Sequence, residues 1–131
     1  MIVSLFFCIF AKMFMNMADE FGLNKGDIMV FRNWIIIYAG WRESEWRGNI
    51  KHAVMFYAIM NLERETLDIC PDGPRPGIGY FEDNQNPRYA TNAEVNRFFD
   101  KIKRLHQAKW DYENSKFITY SENPEKYEQL Y

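Results

Sequence analysis

The chain has 131 residues, 18 % of them aromatic, and a formal net charge of −2. This length predicts a single domain over residues 1–131 with enough apolar surface for a sizeable core. The near-neutral balance excludes a global basic field that would gather nucleic acid or anionic membrane. The two cysteines, Cys8 and Cys70, show neither a Cys-x-x-Cys nor a cysteine–histidine spacing, which excludes a disulfide framework and a recognisable zinc site.

Residues 1–11 (MIVSLFFCIFA) are almost wholly apolar and end at Lys12. A bilayer span needs about 20 apolar residues, so no membrane span is expected. A signal peptide would carry a basic start and a small-x-small cleavage site, and neither is present. Met13, Met15 and Met17 follow at close spacing. Residues 1–17 therefore read as a mis-assigned start, or as an apolar extension serving as an edge strand or dimerising segment. Two cysteines in a chain this long fit a reducing cytoplasm, the localisation expected, with a single Cys8–Cys70 disulfide as the alternative.

The β-rich part is expected over residues 27–81. Residues 27–32 (DIMVFR) and 34–40 (WIIIYAG) are rich in β-branched and aromatic residues, with a tight reversal at Asn33. The second run is apolar on both faces, as a central strand requires. Residues 41–49 (WRESEWRGN) read as a polar loop bracketed by two Trp-Arg pairs. Residues 50–62 (IKHAVMFYAIMNL) read as a long strand, residues 63–66 as a turn and residues 67–70 (LDIC) as the returning strand. Three prolines and three glycines in residues 71–79 (PDGPRPGIG) predict an irregular, proline-pinned loop, followed by a short strand at 77–81 and another loop at 82–87.

A helix over about 92–109 is the best-defined prediction. Thr91-Asn-Ala-Glu94 has the form of a capping box, in which the Thr91 hydroxyl accepts from the Glu94 amide and the Glu94 carboxylate accepts from the Thr91 amide. Val95, Phe98, Phe99, Ile102, Leu105 and His106 share one stripe, expected to face a core. Residues 110–120 read as a small hairpin. Asn123 before Pro124 predicts a short terminal helix.

Few residues offer chemistry. Cys70 is a conceivable nucleophile, with His52 or His106 as base. A buried structural thiol is commoner at a strand end, and both histidines read as packing residues. Glu82-Asp83-Asn84 lacks the ligand spacing of a calcium loop and reads as a solvated turn. No glycine-rich phosphate cradle is present. No cofactor or metal is expected. Two surfaces remain. Trp41, Arg42, Trp46 and Arg47 combine the residue types most frequent in binding hot spots. Arg97, Lys101 and Arg104, with Lys103 and Lys109 nearby, form a basic helix face that could follow phosphates.

Residues 77–118 (GIGY…RYATNAEVNRFFDKIKRLHQAKWDYENSKFI) resemble a carboxy-terminal motif in small uncharacterised proteins encoded by phages and mobile elements of anaerobic gut bacteria. In these a glycine-rich strand precedes an Arg-x-Ala-Thr-x-x-Glu helix start, a helix with paired apolar positions and a Trp-Asp hairpin. Arg88, Ala90, Thr91, Glu94, Phe98, Phe99, Ile102, Trp110 and Asp111 stand at the matching positions, and Gly26-Asp27-Ile28…Val30 resembles the upstream start. Gln107-Ala-Lys109 replaces the glycine of the pattern before the tryptophan. The resemblance implies a mobile-element context and transfers no activity or catalytic residue.

The expectation is an α+β fold: a small, strongly bent antiparallel sheet or SH3-like barrel with one main amphipathic helix packed on it. The expected function is a non-enzymatic, protein-binding inhibitor or accessory factor of a phage-like element, including counter-defence of the anti-CRISPR kind. Its partner would be a host or element-encoded protein, met through Trp41–Arg47. The alternatives are a small RNA- or DNA-binding barrel using the basic helix face and, more remotely, a cysteine hydrolase.

Overall fold

A computed structural model describes residues 18–84 and 86–131. The expectations for residues 1–17, Cys8 included, lie outside the described residues.

The strands form a mostly antiparallel sheet with one main helix, an α+β arrangement. The elements run β1 (Ile28–Phe31), β2 (Trp34–Trp46), β3 (Asn49–Asn61), β4 (Leu67–Ile69), β5 (Arg75–Tyr80), a 3-10 turn (Phe81–Asp83), β6 (Arg88–Tyr89), α1 (Asn92–His106), β7 (Ala108–Asp111), β8 (Lys116–Thr119) and α2 (Pro124–Gln129). The main sheet has the order β4-β3-β2-β1-β6, and β5 pairs the same outer edge of β3 further along. β7 and β8 form a separate hairpin. No closed barrel forms among the described residues, because β4 and β6 remain edges rather than pairing with each other.

β2 is central, as its two apolar faces required. On one face Ile35 and Ile37 join Ile28, Val30, Ala58 and Met60, covered by Phe98 and Ile102 of α1 and by Trp110. On the other, Ile36 and Tyr38 join Met29, Phe31, Val54 and Phe56, covered by Leu23, Cys70 and Phe81 from the loops. The pleat therefore feeds two cores from one strand.

Several expectations change. Residues 41–49 are not a loop: β2 runs on to Trp46 and β3 starts at Asn49, so only Arg47 and Gly48 turn. Both have positive φ, 51° and 79°, as a two-residue type I′ hairpin needs. Register shifts at Ile37/Tyr38 and Tyr38/Trp41 mark bulges, with Gly40 at φ +90° inside the second. The proline-rich loop becomes strand as early as Arg75, and β6 had no counterpart in the predicted elements.

α1 starts with the capping box as predicted: the Thr91 hydroxyl accepts from the Glu94 amide and the Glu94 carboxylate accepts from the Thr91 amide. Arg88 adds a bidentate pair to the same carboxylate, and that guanidinium pulls Glu94 down to about 2. The apolar stripe is shorter than expected. Phe98 and Ile102 are buried and Val95 and Phe99 pack beside them, whereas Leu105 and His106 are exposed. The helix ends at His106, with Gln107 left-handed, so Lys109 is not on its basic face. Lys109 lies in β7 and is buried. Its ammonium donates to the carbonyls of Tyr127 and Leu130, both at 2.9 Å, and sits 4.4 Å from the Tyr127 ring centre. α2 is thereby docked, and Tyr131 is held where its hydroxyl accepts from the Trp110 amide at 2.7 Å.

Candidate functional site

The β2–β3 hairpin continues past the sheet as a two-stranded arm. β1 pairs β2 only as far as Ile37, and β5 meets β3 no closer to the tip than Ala53. Among the described residues the strands from Arg42 to Lys51 pair only with each other, in unbroken register from Trp41↔Val54 to Trp46↔Asn49.

That register decides where each predicted site residue points, because cross-strand partners share a face and neighbours along a strand alternate. Trp41, Glu43 and Glu45 lie on one face with Val54, His52 and Ile50. Arg42, Ser44 and Trp46 lie on the other with Ala53, Lys51 and Asn49. The four residues expected to form one surface are therefore divided. Trp41 turns inward, partly buried, with its ring 4.8 Å from the His52 ring and 6.3 Å from Phe21. Trp46 is 54 % exposed at the tip, with the Arg47 guanidinium carbon 5.4 Å from its ring centre. Arg42 is exposed on the Trp46 face.

The arm is braced at its root by the segment expected to be a solvated turn. Glu82 accepts from the His52 amide and from His52 Nδ1 at 2.5 Å, and Glu20 lies 3.3 Å from Nε2. Asp83 holds Lys51 at 3.0 Å. His52 thus packs edge-on against Phe21 and Trp41, as a packing residue does, and its two nitrogens also face carboxylates. The Glu82 hydrogen bond raises its pKa against a smaller opposing effect of burial. Burial raises Glu82, and the hydrogen bonds from His52 outweigh it to give a net lowering. Phe81, beside Glu82, stacks on Phe21 at 4.0 Å and 4°, so the brace also closes the second core. Its signal in the sequence was weak: an acidic pair after a strand of glycines points at no particular histidine.

The basic helix residues are engaged locally. Arg97 donates to Glu65 and to the Leu62 carbonyl, Lys101 lies 3.7 Å from Glu65, and Arg104 donates to Asp100. Arg97 and its neighbours hold Glu65 below the usual carboxylate range. Cys70 is a buried free thiol whose sulfur accepts from Arg75 Nε at 3.1 Å, and both nitrogens of His52 face carboxylates instead. No group of three or more His, Cys, Asp or Glu side chains able to hold a metal ion gathers among the described residues, and no helix among them is long and apolar enough to cross a membrane. Compared with known protein families, with curated proteins and with solved structures, the chain shows no match.

Proposed function

We propose that the protein is a non-enzymatic, cytoplasmic protein-binding factor, an inhibitor or accessory factor of a phage-like element acting on host machinery such as defence, with the β2–β3 arm as its contact element. The observation that carries this reading is Trp46, an exposed indole with the Arg47 guanidinium over its ring, at the end of a ribbon that has no sheet neighbour on either edge among the described residues. Tryptophan and arginine dominate binding hot spots because each contributes a large contact area with a polar handle. The brace at His52 and Lys51 supports the reading further, since it fixes the arm's root and so lowers the ordering entropy that binding must overcome. The mobile-element context comes from the motif at residues 77–118.

The nucleic-acid reading through Arg97, Lys101 and Arg104 draws less support, because each cation already faces a carboxylate. The hydrolase reading draws less support as well, because the Cys70 sulfur accepts from Arg75 and the His52 nitrogens face carboxylates. The test is capture of a partner from host extract by Trp46→Ala with Arg47→Ala. Lost capture with an unchanged fold supports the arm, and undiminished capture removes it.

A further inference from the structure

The arm's two faces carry opposite charge. The alternation Arg42-Glu43-Ser44-Glu45-Trp46 places Glu43 and Glu45 on the face of His52 and Ile50, and Arg42 with Trp46 on the face of Lys51 and Asn49. Among the described residues every arginine outside the arm except Arg64, in the turn after β3, has a partner for its side chain. Arg75 pairs with Asp68, Arg88 with Glu94, Arg97 with Glu65 and Arg104 with Asp100, while Arg32 donates to the Asp83 carbonyl. Arg42 and Arg47 form no ion pair among the described residues, although Glu43 follows Arg42 directly and Glu45 lies two residues before Arg47. The pleat separates these charges, so the carboxylates that could neutralise the arginines face away.

Resting on the reading of the arm as the contact element, we infer that its Arg42–Trp46–Arg47 face docks on an acidic protein surface, with the indole seated in an apolar slot between carboxylates. The two guanidiniums are free to fork onto carboxylates, which they match in geometry and charge. Trp46 supplies the apolar anchor between them. A nucleic acid would offer phosphates to the same arginines. The phosphates that border a groove, however, would also lie close to Glu43 and Glu45 on the same narrow ribbon and repel them. A protein surface needs to meet only one face.

The test follows the Trp46 indole N–H signal of the intact protein by NMR during titration at low salt. The probes are a short peptide of glutamates around a central leucine, the same peptide with lysines, and a DNA duplex. The acidic peptide is expected to move the Trp46 signal and the lysine peptide to leave it in place. Arg42→Gln with Arg47→Gln is expected to weaken the acidic peptide about tenfold, a modest effect from each of two exposed charges. Glu43→Gln with Glu45→Gln should bind as well as the parent or better, and because it alters the same ribbon it controls for unfolding of the arm. An unmoved indole, undiminished binding in the arginine variant, or a duplex that moves the same signals at lower concentration would each overturn the assignment. If the arginine variant still captures a host partner that the Trp46→Ala, Arg47→Ala protein loses, the arm remains the contact element and only its charge preference falls.

Discussion

Replacing Lys109 by Met tests how the carboxy-terminal part is held. The Lys109 ammonium, 8 % exposed, donates to two carbonyls of the last turn of α2 and lies against the Tyr127 ring. Those carbonyls are among the groups a helix end leaves without partners. A helix of six residues has no independent stability, so docking is what keeps it formed. Each hydrogen bond to a charged donor contributes about 1.5–3 kcal/mol, and a partly desolvated cation–π contact about 0.5–2 kcal/mol. Met keeps most of the stem packing, and the freed carbonyls rehydrate if α2 undocks. The net loss should therefore be about 2–4 kcal/mol. Undocking is the cheaper escape, so the effect should concentrate in α2. Hydrogen exchange should show amides 127–130 losing protection while those of α1 keep theirs, and urea unfolding should show a lower midpoint. An unchanged midpoint with α2 still protected would refute the reasoning.

Three further outcomes follow. Glu94 has a folded-state pKa of about 2 against an ordinary 4.5, so its capping contribution is full above pH 4.5 and is lost as pH falls towards 2; Glu94→Gln should flatten that acid limb in chemical denaturation. His52 is raised above its ordinary 6.5 by Glu82, so its contribution is full below pH 6.5 and is lost as pH rises through the folded-state value. An NMR titration of the ring should show the raised midpoint, and Glu82→Gln should bring it back towards 6.5. Arg47 sits at φ 51° where a type I′ turn favours Asn, so Arg47→Asn should raise stability by up to about 1 kcal/mol in urea while weakening partner capture.

How far the fold could be read from the residues depended on whether one face of each element met a core. β2 was legible to Gly40 because Trp34–Ala39 are apolar on both faces, and α1 because the capping box and the Val95–Ile102 stripe act locally. Beyond Gly40 the signal fails. In a two-stranded ribbon with solvent on both faces, Arg42–Glu45 show no apolar alternation and read as loop, although the backbone pairs without interruption to the turn. The alternation of the pleat over an odd spacing of five separates Trp41 from Trp46, which proximity in sequence had joined. The packing of His52 is legible, but its carboxylate partners are not, because Glu20 and Glu82 lie 32 residues before it and 30 after it. Lys109 was assigned to the helix because positive charge suits a helix end, whereas its place is fixed by carbonyls some 20 residues later. β6, at two residues, is too short to carry a pattern.

Photo-crosslinking in host extract addresses the central claim most directly. A photoreactive residue in place of Asn49, directly across from Trp46, is compared with one in place of Arg104 on the outer face of α1. The account predicts a discrete protein adduct from position 49 and none from position 104. An adduct from position 104 with none from position 49 would contradict it.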